Sequence, residues 1–216
     1  MNNIKNKLIT KKNIENIINK YIVINKDTDK PVIINNIKQF RQAFIHKSFC
    51  DIDIDNSDTD NYSSINIKHE DLFNYERLEF VGDRVIDLII AEYLFNKYPD
   101  KDQGFLTRLK SKLVDKTRLP ILAEKLGFRT FVLISSHLER ISGRNNVKFL
   151  EDIFESFMAV LYRDQGYQID ICRRFLLGVY SEFIDIEHLI KQVRTIVQDK
   201  TGISLTPEVC IIGRDK

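Results

Sequence analysis

The 216-residue sequence has only three cysteines, Cys50, Cys172 and Cys210, and they are widely separated. None of them belongs to a C-x-x-C pair. This spacing argues against a disulfide framework and against a zinc site built from cysteines. Scattered cysteines are typical of a reducing compartment, so we expect a cytoplasmic or other intracellular location.

Long hydrophobic runs are also missing. The longest apolar stretch, residues 85–95, is interrupted by Asp87 and Glu92, and a membrane span needs about 18 apolar residues. Residues 1–20 are rich in Asn, Lys and Ile and contain no apolar core followed by a cleavage site, so they do not resemble a secretory signal. The sequence therefore predicts no membrane partner.

An excess of charge of one sign is missing as well. The net charge is only +2, so a nucleic-acid surface would have to come from local basic patches. The four histidines show neither H-E-x-x-H nor E-x-x-H spacing, which disfavours a zinc protease and a carboxylate-bridged di-iron bundle. No G-x-x-x-x-G-K-[ST] motif occurs, so we expect no nucleotide cofactor.

The most informative stretch that is present, residues 74–88, combines a helical apolar pattern with three acidic residues. Glu76, Glu79 and Asp83 have the spacing of one helix face. Like charges at such spacings destabilise a helix by about 0.2–0.5 kcal/mol per pair, a cost that a bound cation would remove. Gly82 lowers helix propensity and lets another backbone approach closely. Taken alone, such a row is most often a solvated face.

A second acidic pair changes this interpretation. Asp152 and Glu155 lie within the apolar helical pattern of residues 151–162. Two such helices, if crossed, would bring four carboxylates to one point. Divalent cations such as Mg²⁺ prefer oxygen ligands, whereas four unpaired carboxylates could not all ionise cheaply. The two stretches together predict a divalent metal site between two helices.

Four blocks of the sequence occur in a recognisable order. They are residues 42–49, the segment Glu-Arg-Leu-Glu-Phe-Val-Gly-Asp at 76–83, residues 104–114, and Asp-x-x-Glu-Ser at 152–156. Together they resemble the nuclease domain of the ribonuclease III family over roughly residues 40–180. The resemblance implies an all-α, homodimeric helical fold.

The resemblance also implies an activity, an endoribonuclease that cleaves double-stranded RNA by two-metal-ion hydrolysis. Products would have 5′-phosphate and 3′-hydroxyl ends with short 3′ overhangs, and the cofactor would be Mg²⁺, with Mn²⁺ as a substitute. The positions that match the family's metal ligands are Glu79, Asp83, Asp152 and Glu155. Glu76 matches a further acidic position, so the implied catalytic group is Glu76, Asp83 and Glu155.

Two surfaces follow from the same resemblance. Phe80 matches the residue that packs into the partner subunit of a symmetric dimer, and an ordinary core Phe is the alternative. Duplex RNA is recognised mostly by its A-form shape, so basic patches would contact phosphates. The expected RNA-binding residues are Arg108, Lys112, Arg144 and Lys148, with Lys110 beside them.

Two positions depart from the family pattern. Arg84 replaces a small residue after the Asp of the signature, and it would either crowd the helix or offer a positive group to a phosphate. Gln103 replaces the Glu that usually precedes the Gly of the middle block, which removes a supporting acidic group.

Two alternative functions stay open at this point. The first is a non-catalytic protein that binds or scaffolds double-stranded RNA on the same fold, since a fold does not fix an activity. Such proteins typically lose one or more of the acidic residues, and all four are present here. The second is a helical protein of unrelated function whose acidic pairs are coincidental. Incubation with long duplex RNA and Mg²⁺ discriminates among these.

The domain organisation predicted from the sequence has two parts. We expect residues 1–187 to form the nuclease domain, with a polar surface insert over residues 51–70. The resemblance implies that residues 188–216 are a linker or the beginning of a truncated double-stranded-RNA-binding domain, because members of the family often carry such a domain here.

Local signals predict some of the remaining elements. The apolar spacing from Ile14 to Tyr21 predicts a first helix. Thr107 is placed to cap the middle helix, and Gly127 to close the helix that follows. Residues 128–134 are β-prone but have no apparent partner strand.

Overall fold

The computed structural model describes residues 3–22, 30–50 and 73–183, and this part of the chain confirms the predicted all-α fold. It contains nine α-helices, two 3₁₀-helices and no strand. The α-helices are α1 (Lys11–Tyr21), α2 (Ile37–Gln42), α3 (Lys47–Cys50), α4 (Glu76–Lys97), α5 (Gln103–Leu113), α6 (Arg118–Lys125), α7 (Ser136–Arg140), α8 (Val147–Asp164) and α9 (Ile169–Phe183). The 3₁₀-helices are Phe128–Phe131 and Gly143–Asn145.

Two predicted regions lie outside the described residues. They are the polar insert over residues 51–70 and the linker or RNA-binding segment over residues 188–216. Among the helices that are described, none is long and apolar enough to span a bilayer.

Helices α4 and α8 cross at the centre of the fold. Every residue of α8 from Phe149 to Leu161 is buried. At the crossing, a Cβ atom on Gly82 would lie 1.7 Å from the carbonyl oxygen of Glu155, a separation that atoms cannot adopt. The missing side chain of Gly82 therefore lets the two backbones touch, which is the close approach expected from the sequence. The buried residues that α4 contributes are Leu78, Val85, Ile86, Ile89, Ile90 and Leu94.

A second close crossing joins α1 to α9. A Cβ atom on Gly178 of α9 would lie 1.7 Å from the carbonyl oxygen of Tyr21. The Tyr21 ring packs against the rings of Phe175 and Phe183, with centroid separations of 6.5 and 5.4 Å. The predicted first helix is thereby confirmed, and α9 holds it against the core.

The predicted cap of the middle helix was wrong. Helix α5 begins at Gln103, and its N-cap is Asp102, whose Oδ1 accepts a hydrogen bond of 2.7 Å from the Phe105 amide. Thr107 lies inside the helix, where it cannot serve as its cap. The predicted helix end at Gly127 is confirmed, because this glycine adopts a left-handed φ of 74° directly after α6.

The β-prone segment 128–134 forms no strand in the described structure. It begins as a 3₁₀-helix, and beyond that it contributes one isolated parallel bridge between Leu133 and Ile45. The Phe128 ring is fully buried, with its centroid 5.2 Å from Phe44 and 4.9 Å from Phe157. Burial of this aromatic ring overrides the intrinsic strand preference.

Candidate metal centre

Three carboxylates converge where α4 crosses α8. One oxygen from each of Glu79, Asp152 and Glu155 lies within 4.8 Å of the other two. Asp152 and Glu155 are buried, and Glu79 is half-buried. The convergence predicted from the two acidic stretches is therefore present for these three residues.

Asp83 and Glu76, the other two acidic residues singled out by sequence, border the same cleft without joining the three-carboxylate cluster. Asp83 accepts a hydrogen bond from Arg84. Glu76 accepts one from Asn74 at 3.3 Å and pairs with Lys47 at 3.5 Å. Both carboxylates are thus held at the rim of the cluster.

A buried tyrosine, the N-cap residue of α4, supports the cluster. The Tyr75 hydroxyl donates a hydrogen bond of 3.3 Å to Asp152 Oδ2, and Ser156 Oγ donates one of 3.2 Å to the Tyr75 carbonyl. Burial, and then the charge of Asp152, raises the pKa of the Tyr75 phenol, so it stays a neutral donor. Sequence reasoning missed Tyr75, because an aromatic residue before an acidic helix has the pattern of ordinary core.

His46 also lies close to this support. Its ring centroid is 4.3 Å from that of Phe149, and its Nδ1 accepts a hydrogen bond of 3.1 Å from the Ser48 amide. These contacts are those of a hydrogen-bonded histidine packed among aromatic rings.

Lys148 places an ammonium group among the carboxylates. Its Nζ lies 2.5 Å from Asp152 Oδ1 and 3.8 Å from oxygens of both Glu79 and Glu151. Partial burial lowers the pKa of Lys148, but the hydrogen bond to Asp152 and the charges of Glu151 and Glu79 outweigh burial and raise it. Lys148 therefore stays charged and partly neutralises the cluster.

Glu151 is a third buried acidic residue of α8, and sequence reasoning left it out. It is 9% exposed and lines the cleft together with Glu155, one helical turn away. The spacing of 151 and 155 was the available signal, because residues four apart share a helix face.

Burial and mutual repulsion make the cluster costly to ionise. Burial, followed by the charges of Asp83, Glu151, Glu79 and Asp152, raises the pKa of Glu155 to about 8. Burial and the charge of Asp152 also raise the pKa of Glu79, against an opposing effect of Lys148. A bound cation would relieve both effects.

The cluster opens to a cleft of about 590 Å³. One wall comes from α5 and the turn after it, which contribute Lys110, Ser111, Asp115 and Lys116. Lys110 also pairs with Asp87 at 2.9 Å. The acidic centre thus faces a wall that contains basic residues.

The structure places the four expected RNA-binding residues, Arg108, Lys112, Arg144 and Lys148, in different environments. Of those four, only Lys148 lines the cleft. Arg108 and Lys112 are exposed on α5 but outside the cleft lining. Gln103, the departure from the family pattern on this helix, is likewise exposed and does not line the cleft.

Arg144, another expected RNA-binding residue, lies within a network of hydrogen bonds. Its side chain is only 12% exposed and donates a hydrogen bond of 2.8 Å to Glu139. It also donates to Asn6 Oδ1 at 2.8 Å. The carbonyls of Arg129 and Val132 accept two further bonds, of 3.2 and 2.6 Å. These contacts favour a structural role for Arg144 over the expected RNA contact.

Phe80 is 69% exposed on α4. The alternative of an ordinary core Phe is therefore wrong within the single chain. Leu88 and Phe95, on the same helix, are 57% and 68% exposed. Because each helical residue advances about 100°, these three side chains fall within about 80° of one another. We call Phe80, Leu88 and Phe95 the α4 stripe.

Comparison with known proteins gives concordant matches. A sequence model of the ribonuclease III domain matches residues 76–166. A probable ribonuclease 3 of Acanthamoeba polyphaga mimivirus is 36% identical over 188 residues, which is 87% of this chain and 33% of that protein. Ribonuclease 3 of Wolinella succinogenes is 35% identical over 145 residues, which is 65% of this chain and 60% of that protein. This chain thus spans one third and three fifths of these two relatives.

A solved structure shows the same fold. The nuclease domain of ribonuclease III from Campylobacter jejuni, described for flexibility in a region involved in dimer formation, superposes with a TM-score of 0.58 at 24% identity. The match covers 79% of this chain and 98% of that domain. The three-carboxylate cluster lies inside the matched ribonuclease III domain, and the chain belongs to the ribonuclease III family.

Proposed function

We propose that this protein is an endoribonuclease that hydrolyses double-stranded RNA with divalent metal ions. The observation that supports this most directly is the convergence of Glu79, Asp152 and Glu155 within 4.8 Å at the α4–α8 crossing. A purely structural crossing would be expected to bury apolar side chains there, because buried like charges are unfavourable.

The donor set fits Mg²⁺, with Mn²⁺ as a substitute. All the converging donors are carboxylate oxygens, the ligands that hard cations prefer. Asp83 is the fourth proposed ligand, because it borders the same cleft and its charge acts on Glu155. Two metal ions, when bound, supply Lewis acids that activate water for attack on phosphorus and stabilise the leaving oxygen.

The proposed catalytic group is Glu76, Asp83 and Glu155. All three line the cleft, where their carboxylates can orient an attacking water toward a phosphate. Lys148, which stays charged beside Asp152, supplies a positive group to the same phosphate. Attack on phosphorus with departure of the 3′ oxygen leaves 5′-phosphate and 3′-hydroxyl ends.

Duplex RNA is the proposed substrate because the cleft has basic groups on its α5 wall. Lys110 and Lys116 line it, and Arg108 and Lys112 extend the basic surface along α5. Contacts of this kind read backbone shape rather than base sequence, so cleavage should show little sequence preference.

A homodimer is proposed through the α4 stripe. Three large apolar side chains in a row on one helix face are costly to leave in water, and a second copy could cover them. A two-fold interface is self-complementary, so it would place one metal cleft on each subunit. Two clefts related in this way would cut opposite strands at staggered positions and leave short 3′ overhangs.

The extent of the nuclease domain, residues 1–187, is also a proposal. That residues 188–216 are a linker or the start of an RNA-binding module stays a prediction. An intracellular location also stays a prediction.

The test is incubation of the protein with long duplex RNA in Mg²⁺, with and without a chelator, followed by analysis of product ends. We expect cleavage that the chelator abolishes, with 5′-phosphate ends. Glu182→Gln, an exposed Glu on α9 that does not line the cleft, is the matched control for changes in the cluster.

Two outcomes would contradict the proposal. Binding of duplex RNA without cleavage in Mg²⁺ or Mn²⁺ would favour the non-catalytic alternative. Cleavage that persists in the chelator would exclude the metal mechanism.

A further inference from the structure

The Asp83 carboxylate is hydrogen-bonded to Arg84, which would compete with a metal ion for it. This carboxylate borders the metal cleft but is not part of the cluster of Glu79, Asp152 and Glu155. It accepts a hydrogen bond from Nη1 of Arg84 instead. The side chains of Asp83 and Arg84 are 43% and 64% exposed, so burial does not lock either of them in place.

Arg84 makes a second contact along α4, with Phe80. Its guanidinium carbon lies 5.8 Å from the ring centroid of Phe80, one turn earlier on α4. A cation over an aromatic face is attracted to the ring. Arg84 does not line the cleft, whereas Asp83 does. The guanidinium therefore bonds the Asp83 carboxylate from outside the cleft lining.

We infer that Arg84 is a positioning residue that keeps Asp83 out of the carboxylate cluster until a divalent ion competes for it. This inference rests on the proposed metal site. A carboxylate oxygen hydrogen-bonded to a guanidinium must give up or share that bond to coordinate a cation. Arg84 thereby weakens the affinity of the cleft for divalent ions and delays completion of the ligand set.

The expected size of the effect is modest. Ion pairs between exposed side chains contribute little, because solvent screens them. Removal of the guanidinium should therefore tighten metal binding by about two- to fivefold. Arg84→Lys should give a smaller gain, because an ammonium group keeps the charge but loses the fixed fork of donors.

The experiment is calorimetric titration of the metal-free full chain with MnCl₂ and with MgCl₂. The variants are Arg84→Met, Arg84→Lys and the control Arg77→Met. Arg77 is exposed on the same helix and lines a different cleft, with Gln42 and Arg163. Arg77→Met removes the same charge without touching Asp83, so it measures the general electrostatic effect.

We expect Arg84→Met to bind both ions about two- to fivefold more tightly than wild type, with Arg84→Lys between them. Arg77→Met should match wild type. An Arg84→Met affinity equal to or below that of wild type, or an equal gain in Arg77→Met, would overturn the inference.

A Glu155→Gln titration separates this inference from the metal site itself. If wild type binds neither ion, or Glu155→Gln binds as well as wild type, the proposed metal site is wrong. If Glu155→Gln binds weakly and Arg84→Met shows no gain, the site stands and only the role of Arg84 is wrong.

Discussion

Two helix crossings in the described structure use the same backbone device for different ends. At both crossings a glycine faces a carbonyl oxygen, and an added Cβ would lie 1.7 Å from it. Around Gly178 the α1–α9 crossing is closed by the rings of Tyr21, Phe175 and Phe183. Around Gly82 the α4–α8 crossing is lined by carboxylates instead.

The difference separates stability from function. Burial of aromatic rings favours folding, so the α1–α9 crossing needs nothing further. Burial of repelling carboxylates opposes folding, and the raised pKa of Glu155 records that opposition. A crossing that loses stability in this way is expected at a site selected for chemistry. Variants that alter one crossing or one neighbouring surface at a time should therefore separate stability from function.

The largest effect on stability should come from adding a methyl group at each crossing. Gly82→Ala and Gly178→Ala both place Cβ against a backbone oxygen, so each should lower the unfolding free energy by about 1–3 kcal/mol after helices shift apart. Gly82→Ala alone should also lower cleavage by about 100-fold or more, because about 1 Å of misplacement can cost that much. Chemical denaturation and cleavage assays at a temperature where both variants are folded provide the measurement. Equal loss of cleavage in both variants would contradict the division of roles.

The second effect is a pH dependence of stability in the metal-free protein. The folded pKa of Glu155 is raised from an ordinary value of about 4.5 to about 8, so the folded state binds the proton more tightly. This contribution is present below about pH 4.5 and is lost as pH rises toward 8. Over that window the unfolding free energy of wild type should fall by about 1–3 kcal/mol relative to Glu155→Gln.

Denaturant unfolding across a pH series, with a chelator present, checks this. Saturating Mg²⁺ should remove the loss, because ligand binding stabilises the folded state. If the unfolding free energy of wild type follows that of Glu155→Gln at every pH, the pKa of Glu155 is not raised in the folded state.

The third effect concerns the α4 stripe, which is exposed, unlike the aromatic residues of the α1–α9 crossing. Phe80→Ala acts twice in a two-fold interface, so the dimer should dissociate at concentrations about tenfold or more above wild type. Ile141→Ala, a change at another exposed apolar residue, should leave assembly unchanged. Sedimentation over a concentration series measures both. A monomeric wild type, or a Phe80→Ala dimer of unaltered strength, would remove the stripe from the interface.

The smallest effect is on the salt dependence of RNA binding. Duplex affinity should fall steeply with salt, because phosphate contacts release counterions. Lys116→Ala, on the cleft wall, should reduce the slope of log affinity against log salt by about one. Lys20→Ala, beside Tyr21 at the α1–α9 crossing, should leave it unchanged.

Binding should be measured with Ca²⁺ in place of Mg²⁺, because carboxylates also coordinate Ca²⁺. The duplex must stay uncut during the measurement. Salt-insensitive binding would show that an RNA-binding surface exists elsewhere in the chain.

The sequence predicted the convergence of Glu79, Asp152 and Glu155 at the α4–α8 crossing because its signals are local and periodic. Carboxylates three and four positions apart define a helix face, and Gly82 marks a close approach. The same periodicity predicted α1. Phe80 was the harder case, because helical spacing alone does not distinguish a core phenylalanine from an interface one.

The remaining features depend on contacts between distant parts of the chain. Tyr75 supports Asp152 across 77 positions, and Arg144 contacts Asn6 across 138. Neither contact leaves a periodic trace in the sequence. The conformation of residues 128–134 could not be predicted for the same reason. The rings packed around Phe128 determine it, and they override the segment's own strand preference.

The most direct test of the account is the Mg²⁺ dependence of duplex cleavage by wild type, Glu155→Gln and Glu182→Gln. Glu155→Gln keeps the size of the side chain but removes one charged ligand. Loss of a residue that only orients a ligand costs about 10–100-fold, so loss of the ligand itself should slow cleavage by about a thousandfold or more. RNA binding should stay largely intact in Glu155→Gln, and Glu182→Gln should match wild type. Near-wild-type cleavage by Glu155→Gln at ordinary Mg²⁺ would remove Glu155 from the ligand set and contradict a metal centre at the α4–α8 crossing.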